Sequence, residues 1–331
     1  MHYQKFLYIF FLVLALNLSF FSTNIANAKA FLIDEIEISE KLENNFNKDI
    51  LVNKGFRKAF KELMDKLIQS KDLDKIKKIN LNEIKSMIET FSIKEEKFIE
   101  ENYSLKLGVS FNKKKIFNYL SSQNIFPSQI IEEKFLLIPI IIDQLNANLL
   151  MFSKNQIYKS WKEQNGKNHL INYILPTEDL EDLNLIRKNY LEIENYDFEE
   201  IIKKYFIENS IIILVFKDQN QLKILSKISI KDKRVIKSNS FKNINLDNSK
   251  DLQKLIKNLK IIYEDFWKEN NLINTSIKLP LFIQVNNKDF ELSSKFEKTL
   301  DKIDLISNYS INKFNKDFIF YEVIFNGTED V

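Results

Sequence analysis

The stretch "FLLIPIII", residues 135–142, narrows what this chain can fold into more than any other. Eight consecutive apolar positions leave no face for water, so the run reads as a central strand covered on both sides. "SIIILVF" (210–216) repeats the pattern. Between the two lie "SKNQIYKSWKEQ", "LINYILP" and "DFEEIIKKYFIE", which read as helix, buried strand and helix. That alternation predicts a three-layer α/β domain over residues 127–273. "QLKILSKISI" and "VIKSNSF" add antiparallel strands, and a long helix closes the domain, with Leu252, Leu255, Ile256, Leu259, Ile262, Phe266 and Trp267 on its apolar side. Pro139 cannot donate to a ladder, so a bulge or an edge position is expected there. Ser153 is the expected cap of the first of these helices.

The flanking segments have other patterns. "FLIDEIEIS" (31–39) and "YSLKLGVSF" (103–111) alternate as half-buried strands do. Between them Val52, Phe56, Ala59, Phe60, Leu63, Met64 and Leu67 form the stripe of a long amphipathic helix, and a shorter helix is expected near 81–90. Asn112 is placed to cap "KKKIFNYLSSQ". Residues 31–126 therefore read as an N-terminal α+β domain. Residues 274–331 read as a β-α-β-β unit ending in a hairpin around "NKD", too small to stand alone and expected to dock on the domain before it. The fold class expected is mixed, α/β with α+β.

At the N-terminus, "KFLYIFFLVLALNLSFF" is an apolar run behind a single lysine, followed by "STNIANAKA". Ala26-Asn27-Ala28 fits the small-x-small cleavage pattern, so residues 1–28 read as a signal peptide cut between Ala28 and Lys29. The expected product is periplasmic, with no integral membrane span once the signal is removed. There is no cysteine, which excludes both a disulfide framework and a lipid anchor on an N-terminal cysteine. Net charge is +3 over 331 residues, a near balance that makes no electrostatic case for nucleic acid as a partner. The lysine run 113–115 reads as solvated helix surface.

Chemistry has few places to reside. The only histidine after the leader is His169, which reads as an exposed loop residue, and no nucleophile elbow accompanies it. With four glycines the chain offers no phosphate loop. The stretch 243–254 fails as a calcium loop, having Asn248 where glycine and Lys254 where a bidentate glutamate is needed. Trp161 and Trp267 read as core. The exception is "LPTEDLEDL", which sets Glu178, Asp179, Glu181 and Asp182 within five positions. Proline stops a strand there, Thr177 is a preferred cap type, and carboxylates in a first turn are stabilised by the helix dipole. Leu180, Leu183 and Ile186 are expected to face inward. Helix initiation explains the cluster without a cation, although loops after central strands are also where α/β sheets bind ligands.

The same stretch carries a resemblance. The leader, "IDEIEIS", "GFRKAFKELMDKL", "YSLKLGVSFNKKKIFNYL", "FLLIPIII", "YKSWKEQ" and "ILPTEDLEDLNLI" resemble, in that order, the domain of unknown function 2066 family of proteobacterial envelope proteins, especially its alphaproteobacterial branch. The family's turn motif falls on Pro176, Asp179, Leu180 and Asp182. An Arg-Pro pair that the family carries before its buried strand is replaced here by "QIIEEKFLLIP". The resemblance implies an envelope location and no established activity. The expectation is a non-catalytic accessory protein that binds another envelope protein, without cofactor, metal or catalytic residues. Two other readings are a periplasmic carrier of a small ligand, with a pocket lined by residues such as Trp161 or Tyr173, and a metal-dependent hydrolase using the 178–182 carboxylates.

Overall fold

Three sheets organise the chain, in the mixed α/β class expected. They are seen in a computed structural model, which describes residues 31–42, 46–144, 146, 148–163, 169–218, 221–231, 233–286, 290–303 and 305–327. The expected leader and its Ala28–Lys29 cleavage position lie outside the described residues. No helix among the described residues is long and apolar enough to cross a membrane. The chain divides into two units: residues 131–270 form one, and residues 1–130 with 271–331 form the other.

In the unit that holds both termini, the alternating stretches become β1 (Leu32–Lys41) and, after α1 (Lys48–Leu67), α2 (Leu73–Ile76), α3 (Leu81–Met87) and β2 (Ile88–Ile99), the strand β3 (Asn102–Phe111). α4 (Lys113–Ser122) comes next, capped as expected by Asn112, whose side chain accepts from the Lys115 N–H. The sheet is antiparallel, ordered β1-β3-β2. One of its faces buries Leu105, Leu107 and Val109 against the α1 stripe. The approach is closest at Gly55, where an added Cβ would come within 2.4 Å of Leu107 and 2.6 Å of Ile38. The opposite face is charged, with Lys94 paired to Asp34 and Lys106 near Glu35.

β2 is not anticipated from the sequence. It is an edge strand with all but its first residue exposed, and two register shifts break its alternation.

In the second unit "FLLIPIII" lies within β4 (Glu133–Asp143), followed by β5 (Asn148–Leu150), α5 (Gln156–Glu163), β6 (Ile171–Ile174), α6 (Leu180–Lys188), α7 (Glu199–Lys203), β7 (Asn209–Lys217), β8 (Gln221–Ile230), β9 (Lys233–Lys242) and α8 (Ser249–Asn270). The sheet runs β5-β4-β7-β8-β9, with β6 sharing one edge of β4. β4 is parallel to β6 and β7, and β8 and β9 are antiparallel additions. Alternate residues of β4 face two different layers. Leu136, Ile138, Ile140 and Ile142 pack with Ile186 and Ile201 of α6 and α7, while Phe135 meets Trp267 of α8 edge-on at 5.5 Å.

Pro139 sits centrally without a bulge. β6 pairs with residues 133–136 and β5 with 141–143, so this edge of β4 is open at the proline. The Pro139 carbonyl accepts there from Asn155 Nδ2 at 2.9 Å. A residue's N–H and C=O point to the same side of a strand, so the missing donor falls in the gap and the β4–β7 ladder is unbroken. Asn155, rather than Ser153, also caps α5, its Oδ1 accepting from the Ile157 and Tyr158 N–H groups.

The C-terminal segment is β10 (Lys278–Asn286), α9 (Phe290–Lys302), β11 (Ile306–Phe314) and β12 (Phe318–Asn326), a sheet ordered β10-β12-β11. It belongs to the same unit as the N-terminal sheet, whereas its order in the chain suggests docking on the segment just before it. The lysine run supplies part of the reason. Lys113 Nζ donates to the Ile303 carbonyl at 2.7 Å and Lys114 Nζ to Asn308 Oδ1 at 2.9 Å. Lys115 Nζ donates to the Ser86 carbonyl at 2.7 Å. These lysines, Lys113 half-buried and the other two exposed, are tethers as well as solvated surface.

Candidate interaction site at the acidic turn

β6 ends at Ile174, and the chain beyond it stays extended for longer than proline alone requires. The Tyr158 hydroxyl donates to the Pro176 carbonyl at 2.7 Å, and the Thr177 N–H donates to the Tyr205 hydroxyl at 3.1 Å. Thr177 is thereby held before the helix, and the cap moves on to Asp179, a residue equally suited to it. Asp179 has extended backbone, and its Oδ1 accepts from the Glu181 N–H at 2.8 Å.

The carboxylates then take separate tasks. Glu178 Oε1 accepts from the Ser153 N–H at 2.8 Å, and its pKa is lowered below the usual glutamate value first by the Ser153 side chain and then by that N–H. The Asp179 pKa is lowered first by the Glu181 N–H and then by Lys204. Asp182 is buried, 1% exposed, with the Lys204 ammonium 2.6 Å from its Oδ1 and its Oδ2 without a partner. Lys204 also reaches Asp179 Oδ2 at 3.2 Å, and these two carboxylates, Asp182 foremost, raise its pKa. The ammonium thus occupies the position between the two aspartates where a cation would go. No group of three or more His, Cys, Asp or Glu residues that could hold a metal occurs among the described residues.

Starting the helix at Leu180 rotates the expected inward face. Asp182 and Ile186, four residues apart, point into the unit, and Leu183 is half-buried. Leu180 points out and is 77% exposed, a correction to the inward position expected for it. Phe206 is 96% exposed and has φ of 52°, in the left-handed region where a bulky residue is a strained outlier. Leu180 is next to Asp179 in the chain, and Phe206 is next to Tyr205. The Lys204–Asp179 and Tyr205–Thr177 contacts therefore bring these two apolar side chains to one end of the unit.

The remaining residues singled out from the sequence lie elsewhere in the unit. Trp161 is core, its ring 5.2 Å from Tyr173 edge-on and 6.3 Å from Tyr263 in a stack. Tyr173 has its hydroxyl buried in the same cluster, so the pair named as possible pocket lining pack against each other. His169 is a third exposed, with Nδ1 3.6 Å from Glu264 Oε1. Glu264 is buried and accepts the Leu170 and Ile171 N–H groups at 3.1 and 3.0 Å; burial raises its pKa. Lys260, one turn earlier on α8, lies over the rings of Trp161 and Tyr173, and burial lowers its pKa. Neither Lys260 nor Glu264 is anticipated from the sequence. Their spacing of four and eight from Ile256 was the available signal, since it sets both on the inward arc.

Compared with known proteins, the chain matches no family model, and no curated protein shows significant similarity to it.

Proposed function

We propose that this chain is a non-catalytic accessory protein of the cell envelope. It is exported by the signal peptide at residues 1–28, cut after Ala28, and acts in the periplasm by binding another envelope protein. Support for export comes from the leader pattern, and support for the envelope setting from the likeness to the domain of unknown function 2066 family. The carboxylate cluster, the most reactive-looking stretch of the sequence, is engaged in a cap, a tether to the Ser153 N–H and an ion pair. That leaves binding as the favoured role for this end of the unit.

The observation that carries the reading is Phe206. A large apolar side chain almost wholly in water, on strained left-handed backbone, contributes nothing to the fold around it. Asparagine or glycine would suit the backbone better. An exposed aromatic at the same end of the unit as the exposed Leu180 fits the anchor of a protein interface, where a few aromatic and apolar side chains carry most of the energy. Phe206→Asn combined with Leu180→Ser tests this: periplasmic capture of a partner is lost while the melting temperature holds or rises. Mass spectrometry of the product from a Gram-negative host should find an N-terminus at Lys29, or at Phe31 if Ala28-Lys29-Ala30 is the small-x-small site that is cut. An intact Met1 would overturn the cleaved product.

A further inference from the structure

A cleft lined by Glu199 and Ile202 of α7 bears on a separate question, whether the second unit also takes a small ligand. Its floor is the sheet. Ser210 of β7 lies opposite Ser229 of β8, which lies opposite Arg234 of β9; Ile212, Lys227 and Ile236 form the next such rung. Residues two apart on a strand share a face, so both rungs present their side chains on one side. The segment Asn195–Glu199 with Ile202 forms the other wall, and the space between measures about 290 Å³.

The charges in this cleft are unevenly matched. Asp197 and Glu199 on the rim both turn to Arg234, Glu199 in close contact and Asp197 at 3.8 Å. Lys227, half-buried, donates to the Tyr196 carbonyl at 2.8 Å and lies over the Phe198 ring at 5.5 Å. Among the described residues it makes no ion pair with a carboxylate. Its burial lowers the ammonium pKa, against the attraction of Asp197 and Glu194. Diagonal to it on the same face is Ser210, 0% exposed, whose hydroxyl has no hydrogen-bond partner. Buried hydroxyls in native proteins nearly always have one. Phe198, Ile202, Ile212 and Val235 supply apolar walls.

We propose that this cleft binds a small aliphatic monocarboxylate, its carboxylate between the Lys227 ammonium and the Ser210 hydroxyl and its chain against Phe198 and Ile212. One singly charged acceptor satisfies both groups. A dianion such as phosphate would need more donors than remain, and Asp197 and Glu199 would repel its double charge more strongly than a single one. At roughly 30 Å³ per non-hydrogen atom the space suits an acid of on the order of six to eight carbons. The proposal is independent of the partner-binding reading, which uses the opposite end of α7.

Calorimetric titration of the mature protein with hexanoate tests it, with hexanamide as the uncharged isostere. Hexanoate should bind saturably and hexanamide at least about tenfold more weakly, a difference of about 1.4 kcal/mol. Lys227→Met should weaken hexanoate about tenfold or more. Ser210→Ala should weaken it several-fold while the unliganded protein melts no lower, because the hydroxyl that is removed had no partner. No saturable heat with hexanoate, equal binding of the amide, or unchanged affinity in Ser210→Ala would each overturn the proposal. The amide comparison needs no variant, so a misfolded Lys227→Met leaves the test intact.

Discussion

Removing Lys204 should destabilise the second unit more than removing its partner Asp182. The reason is the unequal burial of the pair: the Asp182 side chain is 2% exposed and that of Lys204 39%. Lys204→Met leaves a buried carboxylate with no countercharge and a second oxygen already unpartnered. Breaking a fully buried pair costs about 3–5 kcal/mol. Because water reaches the lysine side of this pair, the figure should be reduced to about 2–4 kcal/mol. Asp182→Asn leaves an exposed ammonium that hydrates freely and retains Asp179, at about 1–2 kcal/mol for the lost charged hydrogen bond. In a domain of this size Lys204→Met should lower the melting temperature by about 5–10 °C and Asp182→Asn by about half that. Lys204→Met combined with Asp182→Leu should recover part of the loss, since an apolar pair can replace a buried ionic one. The assay is a thermal and urea double-mutant cycle. If Asp182→Asn proves as harmful as Lys204→Met, or the double variant is simply additive, the buried ion pair is not what holds the turn.

Two further outcomes concern a buried cap and the response to acid. Asn155 is fully buried, caps α5 and holds the Pro139 carbonyl, so Asn155→Ala should destabilise by about 2–3 kcal/mol in urea unfolding, more than loss of a surface cap, whereas Ser153→Ala should be near neutral. Glu178 and Asp179 have folded-state pKa values below their ordinary 4.5 and 3.8, so their contribution is present above those values and lost as pH falls through the folded ones. The melting temperature should therefore fall from roughly pH 5 downward, and Asp179→Asn should flatten that fall in a pH series of melts.

Much of this fold was legible because its signals are redundant. The runs at 135–142 and 210–216 fix a two-sided sheet, and the stripes at Val52–Leu67 and Leu252–Trp267 fix the helices that cover strands. β2 was illegible for an identifiable reason. Its register shifts break the two-residue period, and Lys94, Glu95, Glu96 and Lys97 give it the charged character that protects an edge strand. The cap at Asn155 was misplaced by two residues, and the cap at Asp179 falls two residues past Thr177, at the limit of where that helix was expected to start. In both cases long-range bonds decided between adjacent capable residues: Pro139 claims Asn155, and Tyr205 holds Thr177 extended. At the acidic turn the four carboxylates were visible, but Lys204, the residue that pairs with Asp179 and Asp182, was not. Nothing local separates it from Lys203, which pairs with Glu199 one helical turn away.

The central claim is that the acidic turn is structural while the apolar side chains beside it bind a partner. The most direct measurement captures partners from periplasmic extract on three immobilised proteins: the wild type, Asp179→Asn with Asp182→Asn, and Leu180→Ser with Phe206→Asn. The carboxylate variant should melt lower yet retain the captured protein at a temperature where it is folded. The apolar variant should melt no lower and lose that protein. Capture abolished by the carboxylate variant at unchanged melting, or undiminished in the apolar variant, would contradict it.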